Sequence, residues 1–241
     1  AYEDTFELVR ADTEKQKELA YKLRYEVYVE ENGFERVPSW EKRALEIDAY
    51  DERSAHYLLM HKASGEAVGT LRVVLPNDDY PGQSFATQKY CDHPILQYDS
   101  RALTLCEISR FCMSKKFRKR ERDGRILSAY YEQDAEKQGA QSAFRRLIPY
   151  APAALMQGAF ETALSARIMD GVWMVDPVHL ASLDKIGFAY RPLGPHVKYH
   201  GGAQPIVFNI KNVLDSMREK NPHCWDIVSD NGRLQKIADN L

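Results

Sequence analysis

The stretch that decides the fold is Leu103–Arg125, LTLCEISRFCMSKKFRKRERDGR. Its first half is apolar and bounded by turn or charge signals, which predicts a strand. That strand carries one acid, Glu107, and one base, Arg110. Burying either charge is costly unless it is paired or used. In a regular pleat Leu105, Glu107, Ser109, Phe111 and Met113 share one face, and Cys106, Ile108, Arg110 and Cys112 share the other. A β-bulge near Ser109 would bring Glu107 and Arg110 to one side and splay the strand. The second half holds seven cations (Lys115, Lys116, Arg118, Lys119, Arg120, Arg122 and Arg125) against two anions, Glu121 and Asp123. A charged strand end followed by a cationic loop suits an anionic ligand such as a phosphate-bearing carrier. The plain alternative is a core ion pair followed by a solvated loop.

The whole chain does not share this basic character. It has 241 residues, 44% hydrophobic and 28% charged, with a formal net charge of −2. That is ordinary globular composition, with length enough for a sizeable core. It argues against a general nucleic-acid or membrane-surface binder and makes the basic loop a local feature. No apolar run reaches the roughly 18 residues a membrane span needs. The start, AYEDTFELVR, has neither the basic nor the apolar part of a secretion signal. Four cysteines without a C-x-x-C pair point to a reducing compartment and no zinc site. The expectation is a cytoplasmic protein with no metal; His179, His196 and His200 lack ligand spacing.

Upstream, about Thr5–Val9 reads as a short strand. Thr13 and Gln16 form a capping-box signal for a helix with an apolar stripe at Leu19, Leu23 and Val27, ended at Gly33. From that helix alone, Arg24 reads as a solvated surface charge. Residues 33–53 form a long connection, the kind that often serves as a lid or binding loop. Ser54–His61 and Ala67–Leu75 form a hairpin about Ser64-Gly65. Arg72 lies inside its return strand, and a buried pair with Glu107 on the neighbouring strand is expected. Downstream, Arg125–Gln138 reads as a helix and Pro152–Met169 as another, stopped by Gly171. Val172–Val175 reads as a strand. Asp176-Pro177 opens a further helix that ends at Gly187. Two strand candidates lie between Phe188 and Ile210, then a terminal helix from Asn212 and loosely defined polar sequence. The order predicts one α/β (α+β) domain over residues 1–241, around a mixed, mostly antiparallel sheet, with a C-terminal helical tail over 211–241.

A series of motifs then falls in order: Arg24-x-x-Val27-Tyr28, Phe34, Ile47-Asp48-x-x-Asp51, Gly69-Thr70-Leu71-Arg72 with Pro76, and Glu107-Ile108-Ser109-Arg110-Phe111. It resembles the signature of acyl-homoserine-lactone (autoinducer) synthases. Gly194-Pro195, Tyr199-His200-Gly201 and Gln204-Pro205 resemble the tail of PEP-CTERM/exosortase-associated acyltransferases, kin of N-acyl amino acid synthases. The resemblance implies a GNAT-like fold. It also implies transfer of a fatty acyl group from a thioester to an amine, with acyl carrier protein the common donor. No permanently bound cofactor is implied; the acyl chain arrives on phosphopantetheine, as acyl-carrier protein or acyl-coenzyme A.

Carried over by motif, Glu107 and Arg110 are the catalytic pair, and Arg24, Asp48, Asp51 and Arg72 the charged acceptor-side set. Phe34 stands where the lactone synthases usually carry Trp, a departure that bears on S-adenosylmethionine as acceptor. The GNAT phosphate loop usually reads Q/R-x-x-G-x-G/A, whereas Arg118–Gly124 has one glycine. A cationic surface for a carrier protein (Lys115, Lys116, Arg118, Arg120) fits that better than a tight coenzyme A cradle. Ser109, on the bulge, and Phe111, Met113, Trp173 and Met174 are candidates for holding the thioester and its acyl chain; taken singly, the four apolar residues also read as core. Three rivals remain at this level. They are an acyl-homoserine-lactone synthase using S-adenosylmethionine, a non-catalytic acyl or metabolite sensor, and a nucleic-acid binder using Lys115–Arg125. The last lacks the interleaved aromatics that stack bases, apart from Phe117 and Tyr130-Tyr131.

Overall fold

Thr13 caps the first long helix, Glu14–Tyr25, through the predicted reciprocal bonds: the Gln16 N–H donates to Thr13 Oγ1 at 3.3 Å, and the Thr13 N–H donates to Gln16 Oε1 at 3.0 Å. A π-helical turn, Glu26–Glu31, continues it, and Gly33 leaves it at φ +68°. These elements come from a computed structural model that describes residues 2–34, 36–115, 151–199 and 201–241. The expected helix at Arg125–Gln138 and the Arg118–Gly124 stretch lie outside the described residues, as do Lys116, Arg118, Arg120 and His200.

Among the described residues seven strands form the sheet: β1 Phe6–Arg10, β2 Ser54–His61, β3 Glu66–Val74, β4 Leu105–Met113, β5 Asp170–Val175, β6 Arg191–Pro192 and β7 Gln204–Asn209. Their order is β1-β2-β3-β4-β5-β7-β6. β1 pairs antiparallel with β2, and β7 pairs antiparallel with both β5 and β6. β4 and β5 are parallel, as a long crossover that includes the helix Ala151–Ser165 allows. The sheet is mixed and mostly antiparallel, with helices around it.

The chain divides into two compact units. The first comprises Ala1–Ile47, His56–Thr70 and Phe111–Leu155. Its apolar core gathers Ala11, Ala20 and Leu58 in one group and Leu23, Val27 and Cys112 in another. Leu19, placed on the same stripe by its spacing, is instead exposed. The second unit comprises Asp48–Ala55, Leu71–Arg110 and Met156–Leu241. Val74, Phe85, Leu96, Leu105, Val172 and Val207 form its core. Phe160, Phe188, Phe208 and Trp173 add an aromatic cluster with ring centroids 5.1–6.3 Å apart.

Three sequence expectations need correction. Gly171 does not stop the preceding helix, which ends at Ser165; it sits inside β5, where Phe208 of β7 covers it so closely that an added Cβ would fall 2.2 Å from the ring. The terminal helix starts at Ile210, because Asn209 accepts from the Asn212 N–H. The tail beyond it is ordered as two more helices, Pro222–Val228 and Arg233–Ala238, the first capped by Asn221. Among the described residues, no helix is long and apolar enough to cross a membrane.

Candidate active site

β4 leaves the regular pleat at Arg110. Arg110 has φ +53°, the left-handed region that costs an L-residue about 1–2 kcal/mol. The parallel ladder to β5 runs from Leu105–Asp170 to Ile108–Trp173, while β5 continues to pair with β7 through Val175. This departure sets two neighbouring side chains, which a regular pleat would point to opposite faces, onto one charged group. Ser109 Oγ accepts from Arg72 Nε at 3.0 Å, and Arg110 Nη2 donates to Asp48 Oδ2 at 2.8 Å. Asp48 Oδ1 in turn accepts from Arg72 Nη1 at 2.5 Å, so this carboxylate bridges both arginines.

The loop after Ile47 is shaped for that role. Asp51 Oδ1 also accepts from Arg72 Nη1, at 2.7 Å, while its Oδ2 accepts from the Asp48 N–H at 2.8 Å. The Tyr50 N–H donates to Asp48 Oδ1 at 2.9 Å. Arg72 is wholly buried and Asp51 nearly so, which makes these bonds obligatory. Arg53 fastens the following segment through its guanidinium to the carbonyls of Leu75, Gln83 and Ser84. The Tyr50 ring lies 5.2–5.8 Å from the cationic ends of Arg53, Arg72 and Lys89. Arg110 Nη1 donates to the Tyr199 hydroxyl at 3.0 Å, and burial raises the pKa of that phenol.

Glu107 does not pair with Arg72 as its sequence position led us to expect. The arginine is held by two carboxylates and a hydroxyl, leaving the acid to other donors. Oε2 accepts from the Thr87 N–H at 2.8 Å and from Thr87 Oγ1 at 2.7 Å. Glu107 Oε1 and Arg72 Nη2 are both buried without a hydrogen-bond partner among the described residues. Burial pushes the Glu107 carboxyl above its usual range, the Thr87 bonds and the charges of Arg72 and Arg110 pulling the other way. A buried acid with a raised pKa and one oxygen without a donor is suited to take a proton and return it.

The cysteines do not compete for the chemistry. All four are buried. Burial pushes the Cys106 and Cys112 thiols up to about 12 and Cys224 to about 11, far from the thiolate a nucleophile needs.

The second unit thus brings together Asp48, Asp51, Arg72, Ser109, Arg110 and Glu107. Thr87, Tyr50, Arg53 and Tyr199 join them and were missed; only Tyr199 lay within a noted motif. Trp173 is buried with its ring 6.3 Å from that of Phe188. The first unit holds the other candidates. Arg24 is wholly buried rather than solvated, and its Nε donates to Glu46. Phe34 stacks on Tyr28 at 5.3 Å, and the Tyr28 hydroxyl donates to the Phe111 carbonyl at 3.2 Å. Lys115 turns its ammonium onto the chain itself, donating to the Glu31 carbonyl at 2.6 Å and Asn32 Oδ1 at 3.0 Å.

Residues 23–127 match the acetyltransferase (GNAT) domain family. No curated protein is a significant sequence match. Solved structures share the fold. TofI, in a ternary complex with an inhibitor and MTA, superposes with TM-score 0.59 at 17% identity, over 91% of this chain and 99% of that one. BjaI, a CoA-dependent acyl-homoserine lactone synthase, gives TM-score 0.54 at 16% identity, over 95% of this chain and 89% of that one. FeeM, an N-acyl amino acid synthase from uncultured soil microbes, gives 0.52 at 14%, over 88% and 95%.

Proposed function

We propose that this chain, a GNAT-type acyltransferase, moves a fatty acyl group from an acyl-carrier-protein or acyl-coenzyme A thioester onto the amine of an amino acid or related small molecule in the cytoplasm. The observation that carries the reading is Glu107: a buried acid in a strand, one carboxyl oxygen held by Thr87 and the other open. The amine attacks the thioester carbonyl; the nitrogen proton passes to Glu107 Oε1 as the C–N bond forms. The C–S bond breaks with its electron pair on sulfur, and the proton follows to give the free thiol. Amide and thiol are the products, with no acyl-enzyme, in keeping with thiols that burial holds neutral. Arg72, through its open Nη2, and Arg110 supply positive charge for the acceptor's polar group, while Asp48 and Asp51 hold the arginines in place. By their place in the motifs, Arg24 and Phe34 are assigned to the acceptor, and Ser109, Phe111 and Trp173 to the thioester and its chain.

The test is incubation of the purified protein with acyl-carrier protein and a pool of amines, following free thiol and identifying acylated products by mass spectrometry. Amide formation in step with thiol release is the expected result. Thiol release without an amide, or neither, overturns the reading. S-adenosylmethionine belongs in the amine pool, because BjaI was also solved with SAM and isopentyl-CoA.

A further inference from the structure

We propose that Thr87 is a positioning residue for Glu107: by donating twice to Oε2 it fixes the carboxyl and leaves Oε1 as the oxygen that takes the amine proton. This rests on Glu107 acting in the transfer proposed above. Two donors on one oxygen, the backbone N–H at 2.8 Å and the hydroxyl at 2.7 Å, hold the plane of the carboxyl. Both come from a single residue of the short turn Ala86–Lys89, so the hold does not depend on two segments keeping register. Thr87 and Glu107 are buried, at 0% and 1% exposure, so water does not replace either bond at low cost. The opposite oxygen is buried without a donor among the described residues. A proton arriving at Glu107 therefore goes to Oε1, because placing it on Oε2 would displace at least one of the two Thr87 hydrogen bonds.

The same bonds tune the acid. Desolvation raises its affinity for a proton, and the two Thr87 bonds, which favour the anion, are the largest opposing influence. The other charged or titrating groups that act on it are Arg72 of β3, Cys106 and Arg110 of β4, Arg53 and Tyr199. Among the described residues none of these donates to Glu107 Oε1.

The experiment is a 13C carboxyl NMR titration of the full chain labelled at glutamate, with the Glu107 signal assigned by its loss in E107Q. Thr87→Val keeps the shape and the backbone donor but removes the hydroxyl; Thr87→Ser restores it. The expected result is a Glu107 midpoint about one pH unit higher in T87V than in wild type, and T87S close to wild type. A T87V midpoint equal to wild type overturns the proposal. Should T87V not fold, the wild-type Thr87 amide proton decides: its chemical shift should follow the Glu107 midpoint, and a flat amide shift overturns the proposal. The acid limb of the pH–rate profile for thiol release is read in parallel. If the NMR midpoint moves and the rate limb does not, the Thr87–Glu107 coupling stands and Glu107 leaves the mechanism, which separates the two failures.

Discussion

Glu107 keeps its two carboxyl oxygens in different surroundings, and that asymmetry has consequences for stability as well as chemistry. Its pKa is raised above the ordinary 4.5, chiefly by burial, so the folded chain holds this proton more tightly than the unfolded chain. The stabilisation from Glu107 is therefore complete below about pH 4.5 and is lost as pH rises through the raised folded value. Glu107→Gln removes the titrating proton but keeps a carbonyl oxygen for Thr87. Urea melts across pH should show the variant gaining on wild type from pH 4.5 upward; parallel curves would mean that the carboxyl is not perturbed. The same variant should lose turnover by roughly 100-fold or more, the scale of lost acid–base catalysis. Near-wild-type turnover with an intact melting transition would remove Glu107 from the reaction.

At the scale of elements, the hairpin β2–β3 and the strand β4 were legible because their signals are local: alternation, a Ser-Gly turn, and an apolar run bounded by charge. The charged residues inside them were legible as a problem to be solved. Their solution was not, because the partners lie at sequence separations of 20 residues or more: Asp48 and Asp51 for Arg72, Glu46 for Arg24, Thr87 for Glu107. Thr87 and Glu46 sit in irregular segments where no periodicity marks a side chain as inward. The helical tail was expected, but its division into separate helices was hidden by polar composition, although Asn209, Asn221 and Pro222 are starting signals. Two variants test the packing of these elements. Asp51→Asn withdraws a charge from the buried Arg72 but leaves Asp48, and should cost roughly 2–4 kcal/mol in a denaturant melt. Loss of less than about 0.5 kcal/mol, the range of ordinary surface changes, would show Arg72 to be held by Asp48 alone. Gly171→Ala drives a methyl against the Phe208 ring, which Phe160 and Phe188 hold in turn. It should cost roughly 1–3 kcal/mol without changing the pH profile of turnover.

At the scale of the whole molecule, charge is unevenly distributed along the sequence. The chain is nearly neutral at −2, yet Lys115–Arg125 alone carries seven cations against two anions. Lys115 is bound to Glu31 and Asn32, which takes its ammonium out of the proposed carrier surface. A diffuse run with a single glycine suits an extended acidic surface better than one compact diphosphate, because close backbone approach to pyrophosphate relies on glycines. Such charge speeds encounter and makes it sensitive to salt. Acyl-carrier protein should therefore outperform acyl-coenzyme A of equal chain length, with the advantage shrinking as ionic strength rises. Reversing Lys116, Arg118 and Arg120 to Glu should raise KM for the carrier protein several-fold and leave kcat nearly unchanged, since the change is felt in docking and not in the transition state at Glu107. Turnover with acyl-coenzyme A serves as the internal comparison and should respond less. Equal use of both donors, indifferent to salt and to the reversal, would mean that the basic stretch is solvated and that the donor is recognised elsewhere.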